Sequence, residues 1–133
     1  GLADKLQQSG RLILVDQETH PDVLPEFVSF EFTDGHTPGH MHTIVKGNHG
    51  SLIFAGDLIP GKAWVHLPIT MGYDRFAEMV IDEKSGFYQR YAGERNWFFF
   101  THDHETAMAR INKDESGKFA AYAGENSPLR YAF

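Results

Sequence analysis

Three segments of this chain carry side chains able to do chemistry: Asp34-Gly35-His36-Thr37-Pro38-Gly39-His40, Gly56-Asp57, and Thr101-His102-Asp103-His104-Glu105. Neutral imidazole together with carboxylate is a ligand set suited to zinc, iron or manganese. Each segment follows or adjoins a short apolar run that reads as a strand, so the imidazoles and the carboxylate fall at strand ends. Open α/β sheets build their sites there. Pro38-Gly39 is a turn dipeptide, so His36 and His40 flank a tight bend. Each segment also has a plainer reading. The first is then a turn with hydrogen-bonding histidines, and Gly56-Asp57 a helix cap or turn. The run from Thr101 to Glu105 is harder to reduce to a turn.

The elements that must position these residues follow from periodicity. Residues 2–8 read as the end of a helix closed by Ser9-Gly10. Residues 12–15 are a continuous apolar run, expected as a buried strand, and the proline-bearing stretch after them as a loop. Val28, Phe30 and Phe32 alternate with Ser29 and Glu31, the period of a half-buried strand. Residues 43–46 and 51–55 flank Gly47-Asn48-His49-Gly50 as a hairpin. Residues 58–73 have no clean period and are expected as a long irregular loop or lid. Asp74 is expected to N-cap a helix bearing Phe76, Met79, Val80, Phe87 and Tyr91 and closed by Gly93, with Gly86 as a weak point. Residues 97–100 read as an aromatic strand buried on both faces. Residues 104–111 read as a short helix or turn with Met108 and Ile111 inward. Residues 118–122 read as a last strand, followed by an ill-defined tail from Gly124. Strands alternating with helices give an α/β or α+β class.

Composition removes several function classes. A chain of 133 residues with 41% apolar content can build one core and not two. Its net charge of −6, with bases scattered singly, offers no basic stripe for nucleic acid. It has no cysteine, which rules out disulfides and thiolate metal sites. There is neither a signal-peptide pattern nor an apolar run of the roughly 20 residues a membrane span needs. A cytoplasmic location is the expectation, and the opening Gly1 suggests a fragment.

Taken together and in order, the three segments resemble the metallo-β-lactamase-fold hydrolases, with a lactonase-like or organophosphate-hydrolase-like flavour. The resemblance rests on Gly35-His36-Thr37-Pro38-Gly39-His40, Phe54-Ala55-Gly56-Asp57-Leu58 and Phe99-Phe100-Thr101-His102-Asp103, and covers residues 10–112. It implies that His36 binds one metal, that Asp57 is the catalytic carboxylate bridging two metals, and that His102 binds the second. His40, Asp103 and His104 would support them, and Trp64, His66, Met71 and Tyr73 would form a substrate wall. His42, at the start of a strand, could face the site or turn away from it. His20 and His49 read as surface residues. The implied chemistry is metal-activated water attacking an ester, lactone, thioester or phosphoester of a small-molecule substrate.

One departure matters. The superfamily also draws ligands from a His-x-His-x-Asp-His segment, and this chain has none. The resemblance therefore implies a single partial domain over 1–133, the C-terminal half of an αββα sandwich. Its zinc site (or iron or manganese) would be partly filled or empty, and the chain inactive by itself. The rival expectation is a non-catalytic module that self-associates, as a homodimer or domain-swapped assembly, or pairs with another chain through an exposed sheet face.

Overall fold

The computed structural model describes residues 1–125 and consists of one six-stranded mixed sheet with a long helix on one face. The strands are β1 (Val28–Thr33), β2 (His40–Lys46), β3 (Ser51–Phe54), β4 (Trp97–Phe99), β5 (Met108–Lys113) and β6 (Phe119–Glu125), and they lie in the sheet in chain order. The helices are α1 (Leu2–Gln8) and α2 (Ala77–Tyr91). Every neighbouring pair is antiparallel except β3 and β4, which are parallel. A parallel pair needs a crossover, and α2 with the irregular segment before it supplies one.

Cross-strand partners share a face, so the register sorts the side chains. Ile44 pairs with Ile53, Ile53 with Phe98 and Phe98 with Ala109, and all four are buried beneath α2. The helix returns Val80, Phe87 and Tyr88 to that face, at the spacing of one helical stripe. It runs unbroken through Gly86. Lys84 lies on the same stripe and is also fully buried, so a fourth apolar position is held by a cation.

On the opposite face Phe32 pairs with Met41, Thr43 with Phe54, and Phe54 with Phe99. It is covered in part: Phe30, Trp97 and Met108 on this face are buried. Phe32, Met41 and Phe54 remain about two-fifths exposed, at 40%, 41% and 41%. Phe54 and Phe99 stack with ring centroids 5.4 Å apart.

Several expectations are corrected. Residues 11–16 form no strand, and Leu12, Ile13 and Leu14 are exposed. An apolar run becomes a strand only where a sheet edge accepts its backbone. On the outer side of β1, the Phe30 N–H instead donates to a carbonyl further along the chain, at Glu18. Residues 108–113 form β5 rather than a helix or turn. Met108, Ala109 and Ile111 are all buried in this interior strand, so the alternation that marks strands is hidden. Asp74 does not cap α2: Phe76 holds that position without a side-chain cap. Phe99 is only half-buried, so the aromatic strand is not covered on both faces throughout. The tail expected from Gly124 lies partly in β6 and otherwise outside the described residues.

His42 shows what the core costs in acid. Its ring is fully buried against Phe87, at 4.9 Å between centroids, with His40 as its titratable neighbour at 4.5 Å. The Ala55 carbonyl accepts from Nδ1 at 2.8 Å, so Nε2 must accept from the Thr33 hydroxyl at 2.7 Å. This arrangement satisfies the neutral ring. Burial first, and His40 second, lower its pKa from 6.5 to about 4. The folded value lies below the unfolded one, so the contribution is complete above pH 6.5 and is lost as pH falls through 4. We expect urea unfolding to show a loss of about 3 kcal/mol across that window. The His42→Gln variant should flatten the dependence, and an unchanged pH slope would refute the assignment.

Candidate active site

Strand direction brings the chemistry together. β1 is antiparallel to β2, β2 to β3, and β3 runs parallel to β4, so β1, β3 and β4 share one direction. Their carboxyl ends therefore open on one sheet edge. His36 lies in the turn after β1, Asp57 in a 3-10 turn (Gly56–Leu58) after β3, and His102 just beyond β4. The Asp57 carboxylate lies between the two imidazoles. Its Oδ2 is 3.2 Å from His36 Nε2, and its Oδ1 is 2.9 Å from His102 Nε2.

Each of the three is placed by its own backbone device. The Glu83 carboxylate on α2 accepts from the backbone N–H groups of Asp34 at 2.7 Å and Gly35 at 3.1 Å. The start of α2 returns bonds from Arg75 N–H to the His36 carbonyl and from Phe76 N–H to that of Gly35. A Cβ at position 35 would sit 2.6 Å from the backbone nitrogen of Val80, so only glycine permits this docking. Asp34 closes the bend by accepting from Gly39 N–H at 2.8 Å. Under Asp57, Gly56 has φ +53° and would meet the His40 ring at 2.6 Å if it carried a Cβ. The His102 N–H donates to the Pro60 carbonyl at 2.9 Å.

The remaining expected site residues divide. His40 lies beneath the site, its ring 5.3 Å from that of His36 and its Nε2 3.5 Å from the Asp57 amide. Burial, then His36, lowers its pKa. Asp103 does not reach the cluster. Its carboxylate accepts from the backbone N–H groups of Lys62, Glu105 and Thr106 and closes their turn. Burial opposes its ionisation, but those three donors outweigh it and hold the carboxyl below its usual range. His104 is 91% exposed, with Glu105 at 3.7 Å as its neighbour.

Of the expected substrate wall, Tyr73 stands beside the cluster, its exposed ring 6.1 Å from that of His36. Met71 is buried and offers no open wall. Trp64 and His66 are half-buried, and their carbonyls are held from below by Lys84, at 2.6 Å and 3.0 Å. Burial pushes the Lys84 ammonium down to about 8, against the pull of the Asp74 carboxylate. Tyr88 adds a bond to the Val65 carbonyl at 2.6 Å. This otherwise irregular segment is thus fastened to α2.

Sequence reasoning misses one residue. The Asp74 side chain is 1% exposed, and its Oδ1 meets His36 Nδ1 at 2.7 Å. Its signal in the chain is an acid next to an aromatic at the end of a loop, and that pattern reads equally well as a helix cap.

The donor set can be tested against a metal. Ligands about 2.0–2.1 Å from a shared zinc stand roughly 3 Å apart, as each His–Asp57 pair does. The donors come as two pairs, one on each oxygen of Asp57. Among the described residues no group of three or more His, Asp or Glu side chains is placed to hold a metal ion. The spacing within each His–Asp57 pair suits two donors of one ion, and no complete site is formed among the described residues.

A mixed sheet that delivers histidine, aspartate and histidine to one edge, with its long helix packed on one face, is a metallo-β-lactamase-like α/β unit. The match to the family described as the metallo-beta-lactamase superfamily extends over residues 4–118, and the chain belongs to that superfamily. No curated protein matches it.

Three solved structures share the fold. A probable metal-dependent hydrolase from Staphylococcus aureus is 21% identical with a TM-score of 0.69, covering 90% of this chain and 41% of its own. AidC, a dizinc quorum-quenching lactonase in complex with a homoserine product, is 17% identical with a TM-score of 0.71, covering 93% and 46%. AbOPH, a hydrolase in the beta lactamase superfamily, is 16% identical with a TM-score of 0.67, covering 89% and 40%. The chain spans less than half the length of each. No helix among the described residues is long and apolar enough to cross a membrane.

Proposed function

We propose that this chain is the C-terminal half of a metal-dependent hydrolase domain and supplies one side of a two-metal site. The observation that carries the reading is the Asp57 carboxylate, which offers one oxygen to His36 and the other to His102. His36 would hold one metal, His102 the second, and Asp57 both, with zinc, iron or manganese suited to such donors. When bound, divalent metals supply an activated water and polarise the scissile carbonyl or phosphoryl group. This chain's own residues do the positioning: Glu83 and the start of α2 hold the His36 turn, and Tyr73 borders the site. A small-molecule ester, lactone, thioester or phosphoester is the proposed substrate class. Three ligands leave a dinuclear site short of donors, so the chain alone is expected to be inactive.

The test is zinc titration and ester hydrolysis by the chain alone, then with a polypeptide carrying the complementary His-x-His-x-Asp-His segment. We expect weak zinc uptake and no hydrolysis alone, and gain of both on complementation. Tight stoichiometric zinc with esterase activity in the chain alone would overturn the incompleteness. No zinc uptake in either state would overturn the metal reading.

An exposed apolar patch on the sheet face away from α2 favours a second reading, a module that associates with a second copy of itself. Phe32, Met41 and Phe54 lie on neighbouring strands of that face. Covering apolar surface is worth about 25 cal/mol per Å². Sedimentation should then show concentration-dependent dimers that Phe54→Lys disperses, whereas a monomer at all concentrations would remove this reading.

A further inference from the structure

We propose that Asp74 is the positioning residue for His36, fixing its tautomer and tying its orientation to the loop that borders the site. Asp74 has two oxygens and two donors to satisfy. Oδ1 meets His36 Nδ1 at 2.7 Å, and Oδ2 accepts from the backbone N–H of Met71 at 2.7 Å. An ionised carboxylate only accepts, so Nδ1 must carry its proton. Nε2 is then the atom turned toward Asp57. It either donates a proton there or, with a cation between them, offers its lone pair.

The position calls for a carboxylate in particular. Asparagine has one accepting oxygen and one donating nitrogen. Whichever way its amide turned, an N–H would face either the Met71 N–H or the imidazole Nδ1–H. With its side chain 1% exposed, Asp74 is shielded from the solvent that could make good that loss. A buried charge needs company, and the Lys84 ammonium supplies it: the field of Asp74 raises the lysine's pKa against burial. Lys84 also holds the Ile69 carbonyl at 2.9 Å, and Asp74 holds the Met71 amide, so the two ions grip the same stretch of loop. Tyr73, in the same stretch, has its ring 6.1 Å from that of His36. A shift of this loop is thereby transmitted to the imidazole.

The metal aspect of this inference rests on the proposed function, and the tautomer does not, so their failures are separable. The 133-residue chain is labelled with ¹⁵N-histidine, and the His36 ring is observed with and without zinc ion. The wild-type ring should show a slowly exchanging Nδ1–H in both states. Asp74→Asn should lose that signal and bind zinc roughly 10- to 100-fold more weakly, as when a hydrogen-bond partner of a ligating histidine is removed. Asp74→Glu, which keeps both acceptors, should recover part of each. A wild-type ring protonated only at Nε2 would overturn the proposal without any variant. So would Asp74→Asn with an unchanged ring signal and zinc affinity within about threefold, well short of that range. If no form binds zinc but the Nδ1–H signal follows the carboxylate, the positioning role stands and the metal reading falls.

Discussion

Replacing Asp57 by asparagine should weaken zinc uptake by more than about 100-fold, beyond the range reached by changing a partner of a ligand, while leaving folding stability almost untouched. The reasons are separate. The amide would keep the shape of the side chain but lose the charge and one of the two acceptor oxygens, so it could serve at most one of His36 and His102. As a structural contact the residue contributes little. His102 is 61% exposed, and such ion pairs are worth about 0–1 kcal/mol. Zinc titration by calorimetry, alongside urea unfolding of the same preparation, reads both quantities. Equal zinc affinity in the variant would remove Asp57 from the site. A large loss of stability would instead make it a structural residue.

Lys84→Met should show the reverse pattern. The ammonium is fully buried and donates to three carbonyls, those of Trp64, His66 and Ile69. Methionine fills similar volume but donates nothing, and each buried carbonyl left without a donor costs about 1–3 kcal/mol. The Asp74 carboxylate also loses its compensating charge. We expect a loss on the order of 4 kcal/mol, large against the roughly 5–15 kcal/mol that holds a domain together. The urea midpoint should fall accordingly. Tyr88→Phe, which frees only the Val65 carbonyl, should cost about 1–3 kcal/mol. A Lys84→Met midpoint equal to wild type would show that the loop does not depend on this clamp.

These two variants separate what the site does from what holds it in place. Asp57 and His102 at the sheet edge are substantially exposed, and their pair is expected to contribute little to folding. The residues behind them (Glu83, Lys84, Asp74) fasten irregular backbone to α2. Zinc affinity and stability should therefore be altered by different substitutions a short distance apart.

Much of the site is legible in the chain because its signals are local. His36, Asp57 and His102 each follow an apolar run, and strand ends are where side chains leave the sheet. The hairpin around residues 47–50 and the stripe of α2 are also legible, since periodicity and turn chemistry act over a few residues. The strand β5 is not, because an interior strand covered on both faces loses its alternation. Residues 12–15 mislead for the opposite reason: apolar content is present, but a strand needs a backbone partner that sequence does not supply.

By itself, then, the sequence determined which residues could do chemistry and that they would sit at strand ends. It determined the family as well, through three ordered motifs. Only the tertiary structure decided that one carboxylate spans both imidazoles, because that depends on β1, β3 and β4 running in the same direction. Only the tertiary structure turned Asp74 from an apparent cap into the partner of a histidine 38 residues away. Hydrogen bonds between distant residues are set by the packing of α2 on the sheet. No spacing along the chain encodes them.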